Sequence, residues 1–291
     1  MDQERIRWID GAKGIAMCMV VLVHLTQKMP CLPGTVFSFG AMGVQLFFVL
    51  SGYCLCMKLG KKCQSSKKQL INRYRRLAPW YLTGMGLYAA YYWLTGNSDR
   101  LSSFTVGNVA ANLLLVNTFF PSAQNTIVPG GWSISCIAVF SFVFPLFVTD
   151  LDKVRVKTLA VTSALGLAIS IFGYGMFNWP RQYSYCSIMN QFVVFVLGVA
   201  YFIARPRLIE CIRLIWAAVI AFTFFALAVG AVVLDKEHAI FYRHVLISLS
   251  FVSGLLILER MDAYMPGFMV WIGKHSYEIF IFHFLAIWML P

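Results

Sequence analysis

Charge is scarce in this chain. Asp, Glu, Lys and Arg make up 12% of its 291 residues, while 59% are hydrophobic, against roughly 45–50% apolar residues in ordinary soluble domains. That composition excludes a soluble globular enzyme and points to a membrane protein. Polar stretches long enough for an appended soluble domain are lacking, so a single membrane domain over 1–291 is expected. The first apolar run has acidic and basic residues before it and no small-residue cleavage site after it, which argues against a removed signal peptide. The eight cysteines (Cys18, Cys31, Cys54, Cys56, Cys63, Cys136, Cys186 and Cys211) form no C-x-x-C, and no paired-histidine spacing accompanies them. They read as packing residues, and neither a disulfide framework nor a metal site is expected.

Apolar runs recur along the whole length. Segments 11–29, 39–57, 78–95, 132–149, 156–177, 187–204, 213–234, 240–258 and 270–290 each approach the length needed to cross about 30 Å of hydrocarbon. The expected fold is an all-α polytopic bundle of about nine or ten transmembrane helices. Segment 104–120 is different, because its apolar part is short and punctuated by Asn108, Asn112 and Asn117. The net charge of +12 arbitrates. With the N-terminus in the cytoplasm and 104–120 not crossing, 19 basic residues face inward and 5 outward; with 104–120 crossing, the split weakens to 14 against 10. The positive-inside rule therefore favours a re-entrant or interfacial helix there, and it accounts for the basic excess without nucleic acid as a partner. The basic loops also suit anionic membrane lipid.

Chemistry concentrates first in Asp10-Gly-Ala-Lys13-Gly, which opens an apolar run holding His24. The steps from Lys13 to His24 make almost three helical turns, placing both side chains on one face roughly 16 Å apart. An ionisable group at membrane depth is a functional candidate by default, although a hydrogen-bonded core histidine reads equally well from this stretch alone. Asp10 lies one turn from Lys13 and is placed to hold its ammonium.

In segment 39–57 the small residues Gly40, Gly43, Ser51 and Gly52 favour a helix-packing surface. In Arg73-Tyr-Arg-Arg76-Leu-Ala-Pro79-Trp-Tyr81, Arg73 and Arg76 share a helix face, a geometry suited to phosphate and equally to a membrane anchor. A glycine-bearing turn leads into Trp132-Ser133-Ile, and the last segment carries Gly273-Lys-His-Ser276-Tyr277-Glu278 with a second intramembrane imidazole at His283. Segments 156–177, 187–204, 213–234 and 240–258 are nearly all apolar and read as scaffold.

Together these stretches resemble the integral-membrane acyltransferase family 3, which O-acylates bacterial cell-surface sugars. Asp10-Gly-x-Lys13-Gly with His24 matches its basic-x10-His pattern, and Gly43-Val-x-Leu-Phe-Phe-Val-Leu-Ser51-Gly52 its second helix. Arg73-x-x-Arg76-x-x-Pro79-x-Tyr81, Trp132-Ser133-Ile and Gly273-Lys-x-Ser276-Tyr277 with His283 follow in family order. The resemblance implies transfer of an acyl group, most simply acetyl, from acyl-CoA to a hydroxyl of a cell-surface or lipid-linked saccharide, with no permanently bound cofactor. It implies His24 as the catalytic group, Lys13, Arg73 and Arg76 as donor-binding cations, and Asp10, Ser51, Trp132, Ser133, Tyr277 and His283 in support. The expected location is the inner (cytoplasmic) membrane, crossed many times. Two departures stand out. Where family members commonly carry a glutamate about five residues after the Trp, this chain has Ile137 and Ala138, and the family usually continues through one more spanning helix beyond the position of Pro291. Two alternatives remain: an inactive acyltransferase-like protein, which Ile137 supports, and a transporter or flippase, which the lack of an internal repeat disfavours.

Overall fold

The computed structural model describes residues 6–29, 38–59, 66–144, 156–235 and 237–290. Among the described residues the regular structure is entirely helical. The helices are α1 (Arg7–Lys28), α2 (Gly43–Leu59, entered through a 3-10 turn at Ser38–Met42), α3 (Ser66–Leu94), α4 (Ser98–Ser102), α5 (Val106–Leu113), α6 (Gly131–Val143), α7 (Val156–Phe177), α8 (Arg181–Cys186), α9 (Ile188–Cys211), α10 (Leu214–Leu234), α11 (Arg243–Arg260), α12 (Gly267–Lys274) and α13 (Ser276–Trp288). Among the described residues five stretches have the length and apolarity to cross a membrane: Arg7–Lys28, Phe39–Lys58, Lys157–Phe177, Arg181–Cys211 and Leu214–Leu234.

Differences from the expected segments have local causes. Segment 270–290 is not one spanning helix. The backbone at His275 leaves the helical region (φ −101°, ψ 13°) and its N–H closes α12 on the carbonyls of Trp271 and Gly273, so the apolar run is divided into helices of 8 and 13 residues. The break is a backbone event at His275 within an apolar run, which is why hydropathy alone reads through it. Segment 104–120 contains only the eight residues of α5 and a 3-10 turn at Asn117–Phe119, and eight residues rise about 12 Å, too little to cross a membrane. Helix α3 begins well before residue 78, carrying Arg73 and Arg76 on regular helix, and contains Pro79. The end of segment 132–149 lies outside the described residues.

The chain divides into two compact units, Met1–Cys56 with Val194–Phe280, and Met57–Val193 with Ile281–Pro291. In the first, glycines set the helix spacing. A Cβ at Gly43 would overlap the Ala16 carbonyl, one at Gly40 the Met19 carbonyl, and one at Gly52 the Phe195 carbonyl, while α9 answers with Gly198 against the Val49 carbonyl. The small residues of 39–57 are thus a packing surface on two sides, as hydrocarbon-embedded helices require where lipid supplies no hydrophobic push. Phe48 and Phe195 stack at 4.6 Å beside that crossing. Helix α10 is apolar all round, with only Ala217 and Ala228 buried and Phe222, Val233 and Leu234 most exposed. Such a helix suits a lipid-facing position.

In the second unit α3 is tied to the C-terminal helix. Tyr88 donates to the Ile281 carbonyl (3.0 Å), Trp80 meets Phe282 edge-on, and Trp288 sits among Tyr88, Tyr91 and Tyr92 with ring centroids 5.5–6.1 Å apart.

Candidate functional site

The first unit gathers charge at one helix crossing. Helix α1 starts on a borrowed cap, because the Trp8 N–H donates to Asp262 Oδ1 (2.6 Å) and the Arg7 guanidinium to the Met265 carbonyl (2.9 Å). A carboxylate there satisfies an orphan amide and complements the positive end of the helix dipole. From this anchor the chain before α12 advances with α1, Trp8 meeting Asp262 and Gly11 meeting Met265, and α12 then runs back along α1, from Gly14 at the Met269 carbonyl to Asp10 at Gly273. At Gly273 the backbones touch, since a Cβ would overlap the Asp10 carbonyl. Glycine is required on both helices, and this explains Asp10-Gly-x-Lys13-Gly and Gly273 as halves of one seam.

Asp10 and Lys13 flank the seam. The Lys13 Nζ donates to Asp10 Oδ1 at 2.9 Å. The Asp10 side chain is only 8% exposed and that of Lys13 31%, so the carboxylate is sunk in the seam and the ammonium reaches out of it. Asp10 Oδ2 is buried with no hydrogen-bond partner among the described residues, an arrangement that costs stability.

Further along the same helix His24 is half-buried, its Nδ1 3.0 Å from Gln27 Oε1. The amide oxygen can only accept, so Nδ1 carries the proton and the lone pair of the neutral ring sits on Nε2. Ser51, on α2, is half-buried beside the Gly52 contact, and Tyr277 is half-buried in the first turn of α13.

In the second unit Arg73 is half-buried and Arg76 exposed on α3. Trp132 is buried at the start of α6, its ring 5.8 Å from that of Tyr185. The Ser133 hydroxyl donates to the Gly130 carbonyl (2.8 Å), where Gly130 turns the chain at φ 78°; this local bond closes the turn. His283 is buried on α13, its ring 4.4 Å from that of Phe284. Ile137 is half-buried on α6.

The family described as an acyltransferase domain matches residues 6–290. The chain belongs to acyltransferase family 3. It is a multi-pass membrane protein. Among curated relatives it is similar to the exopolysaccharide production protein ExoZ of Rhizobium meliloti (strain 1021), 29% identical over 157 residues that are 53% of this chain and 46% of that protein. It is also similar to protein 2 in the picA locus of Rhizobium radiobacter, 33% identical over 93 residues, 31% of this chain and 47% of that protein. The aligned part of the chain spans about half the length of these relatives. No solved structure matches it.

Family motifs at opposite ends of the chain thus meet at the α1–α12 seam, which sequence spacing does not reveal. Gln27 went unnoticed, although its position one turn after His24 is a readable signal. Asp262, 252 positions from Asp10, carries none. A bidentate ion pair between Arg205 on α9 and Glu259 on α11, joined by the Tyr201 hydroxyl (3.1 Å), lies one residue beyond the segments 187–204 and 240–258 and likewise carries no signal in sequence spacing. Arg260 donates to the carbonyls of Ile209 and Ile212 at the end of α9. Both arginines are engaged in holding helices together.

Proposed function

We propose that this protein is an O-acyltransferase of the inner (cytoplasmic) membrane that moves an acyl group, most simply acetyl, from acyl-CoA to a hydroxyl of a cell-surface or lipid-linked saccharide. The observation that carries this reading is the one helix that begins with the seam-held Asp10–Lys13 pair and continues to His24 with its Nδ1–H on Gln27. Saccharide as the acceptor class draws on the exopolysaccharide role in the name of ExoZ.

His24 Nε2 removes the proton from the acceptor hydroxyl as its oxygen attacks the thioester carbonyl. The carbon–sulfur bond then breaks, and the proton returns from the imidazolium to the departing thiolate, so that CoA leaves as the thiol and the ester remains on the sugar. Lys13, with Arg73 and Arg76, binds phosphates of the donor. Asp10 orients Lys13, while Ser51, Trp132, Ser133, Tyr277 and His283 support the helices that carry these groups.

Ile137 favours a second reading, an acyltransferase fold without turnover, because an aliphatic side chain stands where the family resemblance places a carboxylate. One comparison separates the two: acyl-CoA turnover and transfer by the purified protein in detergent, for the unchanged chain, His24→Ala and Ile137→Glu. Turnover in the unchanged chain and its loss in His24→Ala is the expected result. Turnover only in Ile137→Glu would establish the second reading.

A further inference from the structure

Helix α7 has the length and apolarity to cross a membrane, yet one side of it is hollow. Ala168, Ile169, Phe172, Gly173, Phe177 and Trp179 line an open groove of about 400 Å³, within the roughly 300–1,000 Å³ of small-molecule sites. Every lining residue is apolar. A nucleotide or a sugar placed there would give up its hydrogen bonds to water without replacement, so the chemistry of the groove suits a hydrocarbon chain.

The far wall of the groove is fixed by the fold. Gly173 has no side chain, and a Cβ there would overlap the Trp179 ring. Asn178, at φ 51°, turns the chain back through the left-handed region, which asparagine tolerates better than most residues. The Trp179 N–H then donates to the Gly173 carbonyl (3.1 Å), its ring meets that of Tyr183 edge-on at 5.2 Å, and the Tyr183 hydroxyl donates to the Phe119 carbonyl (3.1 Å). The indole is held in place before any ligand arrives, which lowers the ordering cost of binding.

A cation stands beside this wall. Arg181 is two residues past Trp179, its side chain is exposed, and it is the only charged residue between Lys157 and Arg205. On the basic-residue count it is among the 5 cations that face outward, so the positive-inside bias does not account for it. Tyr185 lies four residues further on, on the same face of α8 as Arg181, and its ring is 5.8 Å from that of Trp132 in the Trp132-Ser133 motif. Apolar groove, guanidinium and family motif follow one another in that order within the second unit.

We propose that this groove holds the hydrocarbon chain of a lipid-linked acceptor, with Arg181 on the phosphate that joins chain to sugar and the sugar lying toward Trp132. This rests on the reading of the protein as a saccharide acyltransferase and selects the lipid-linked form of its acceptor. The forked donors of a guanidinium suit a phosphate. A ligand that carries chain, phosphate and sugar in one molecule uses all three features, whereas a free polysaccharide leaves the groove and Arg181 idle.

The test is equilibrium binding of radiolabelled geranylgeranyl diphosphate, a branched hydrocarbon chain on a diphosphate, to the purified full chain in phosphatidylcholine nanodiscs, whose bulk lipid competes for any unspecific apolar contact. The unchanged chain, Ala168→Phe, Arg181→Gln and Arg181→Lys are compared. Ala168 and Arg181 are exposed, so normal folding is expected, and the thermal transition of each variant checks this. Saturable binding is expected in the unchanged chain. Ala168→Phe, which fills the groove, and Arg181→Gln should each weaken it about five- to tenfold, with Arg181→Lys restoring most of the loss. Geranylgeraniol should compete weakly and inorganic diphosphate not at all. In acetyl transfer from acetyl-CoA to the lipid-linked oligosaccharide fraction of cells that make the protein, Ala168→Phe should raise the KM for that acceptor and leave the KM for acetyl-CoA unchanged. Absence of saturable binding, binding that neither Ala168→Phe nor Arg181→Gln weakens, or inhibition by geranylgeranyl diphosphate that is competitive with acetyl-CoA would overturn the groove assignment and leave the transferase reading standing. Variant-sensitive binding with no consumption of acetyl-CoA would overturn the transferase reading, and the acceptor role with it, while the groove remained a site for a prenyl phosphate.

Discussion

Two polar regions in this apolar chain behave in opposite ways. In the second unit, residues 105–135 form an extensive hydrogen-bond network of neutral groups, in which only Asn117 Oδ1 and Thr126 Oγ1 are buried without a partner among the described residues. Tyr81 donates to Asn112 Oδ1 (2.7 Å), and the Asn112 amide donates to the carbonyls of Asn108 and Ala123. The Gln124 amide donates to the Thr118 carbonyl, the Thr118 hydroxyl to the Cys186 carbonyl, and the Ile188 N–H to Thr118 Oγ1. Ser135 bonds the carbonyl of Leu115, held at φ 55° in the left-handed region, where a leucine is strained and persists only when its surroundings over-determine it. Asn112, Asn117 and Thr118 are fully buried and carry no charge. The seam of the first unit has fewer polar groups, but they are charged, one carboxylate oxygen lacks a partner, and the ammonium reaches outward. Buried polarity by itself therefore does not mark chemistry in a membrane protein. A network of neutral groups that bond largely to one another replaces water for an irregular backbone, whereas charge held at one end and presented at the other is available to a ligand.

That contrast can be broken experimentally, beginning with the largest expected effect. Gly273→Val drives side-chain atoms into the Asp10 carbonyl, a backbone group that has nowhere to move. Little folded protein is expected, with any that is recovered destabilised by about 3 kcal/mol or more, as read from the yield of monodisperse protein in detergent and its thermal transition. Survival of Gly273→Val at normal stability would remove the seam as the organising contact.

Next, His24→Ala on α1 is expected to lower acyl transfer by about 10²–10⁴-fold while the thermal transition stays close to that of the unchanged chain. Were stability and turnover to fall together, His24 would belong with the neutral network, as a structural histidine. Tyr81→Phe carries the reverse expectation. It strips the donor from the buried Asn112 Oδ1 and should destabilise by about 1–3 kcal/mol, with donor affinity in the surviving folded fraction unaltered. The smallest effect is expected from Gln27→Leu, which releases Nδ1 of His24 from its acceptor. Transfer should fall about tenfold, or about 1.4 kcal/mol of transition-state stabilisation, through kcat rather than donor KM. A change in KM alone would place Gln27 in binding and leave the ring's tautomer undetermined.

Much of this was legible in the chain itself. Hydropathy located the long apolar helices because burying a run in hydrocarbon requires a minimum length, and the asparagines of 104–120 together with the basic-residue count correctly denied that segment a full-length helix. The small residues at Gly40, Gly43 and Gly52 read as packing and are packing. Hydropathy failed at 270–290, since the break at His275 is a backbone event inside a continuous apolar run. It also ended two apolar segments at residues 204 and 258, just before Arg205 and Glu259, which lie on α9 and α11 and pair across 54 positions.

The sequence alone determined an all-helical, multi-pass membrane protein carrying the acyltransferase motifs, with Lys13 and His24 on one face of one helix. Those properties follow from composition, length and the 3.6-residue period, all of which are local. Only the tertiary structure decided what those residues touch. It set Asp10 in a glycine seam against Gly273, capped α1 with Asp262, and engaged Arg205 and Arg260 in helix contacts. Partners hundreds of positions apart meet through backbone packing at glycines, and neither periodicity nor charge counting records which distant carbonyl will occupy the space that a missing side chain leaves.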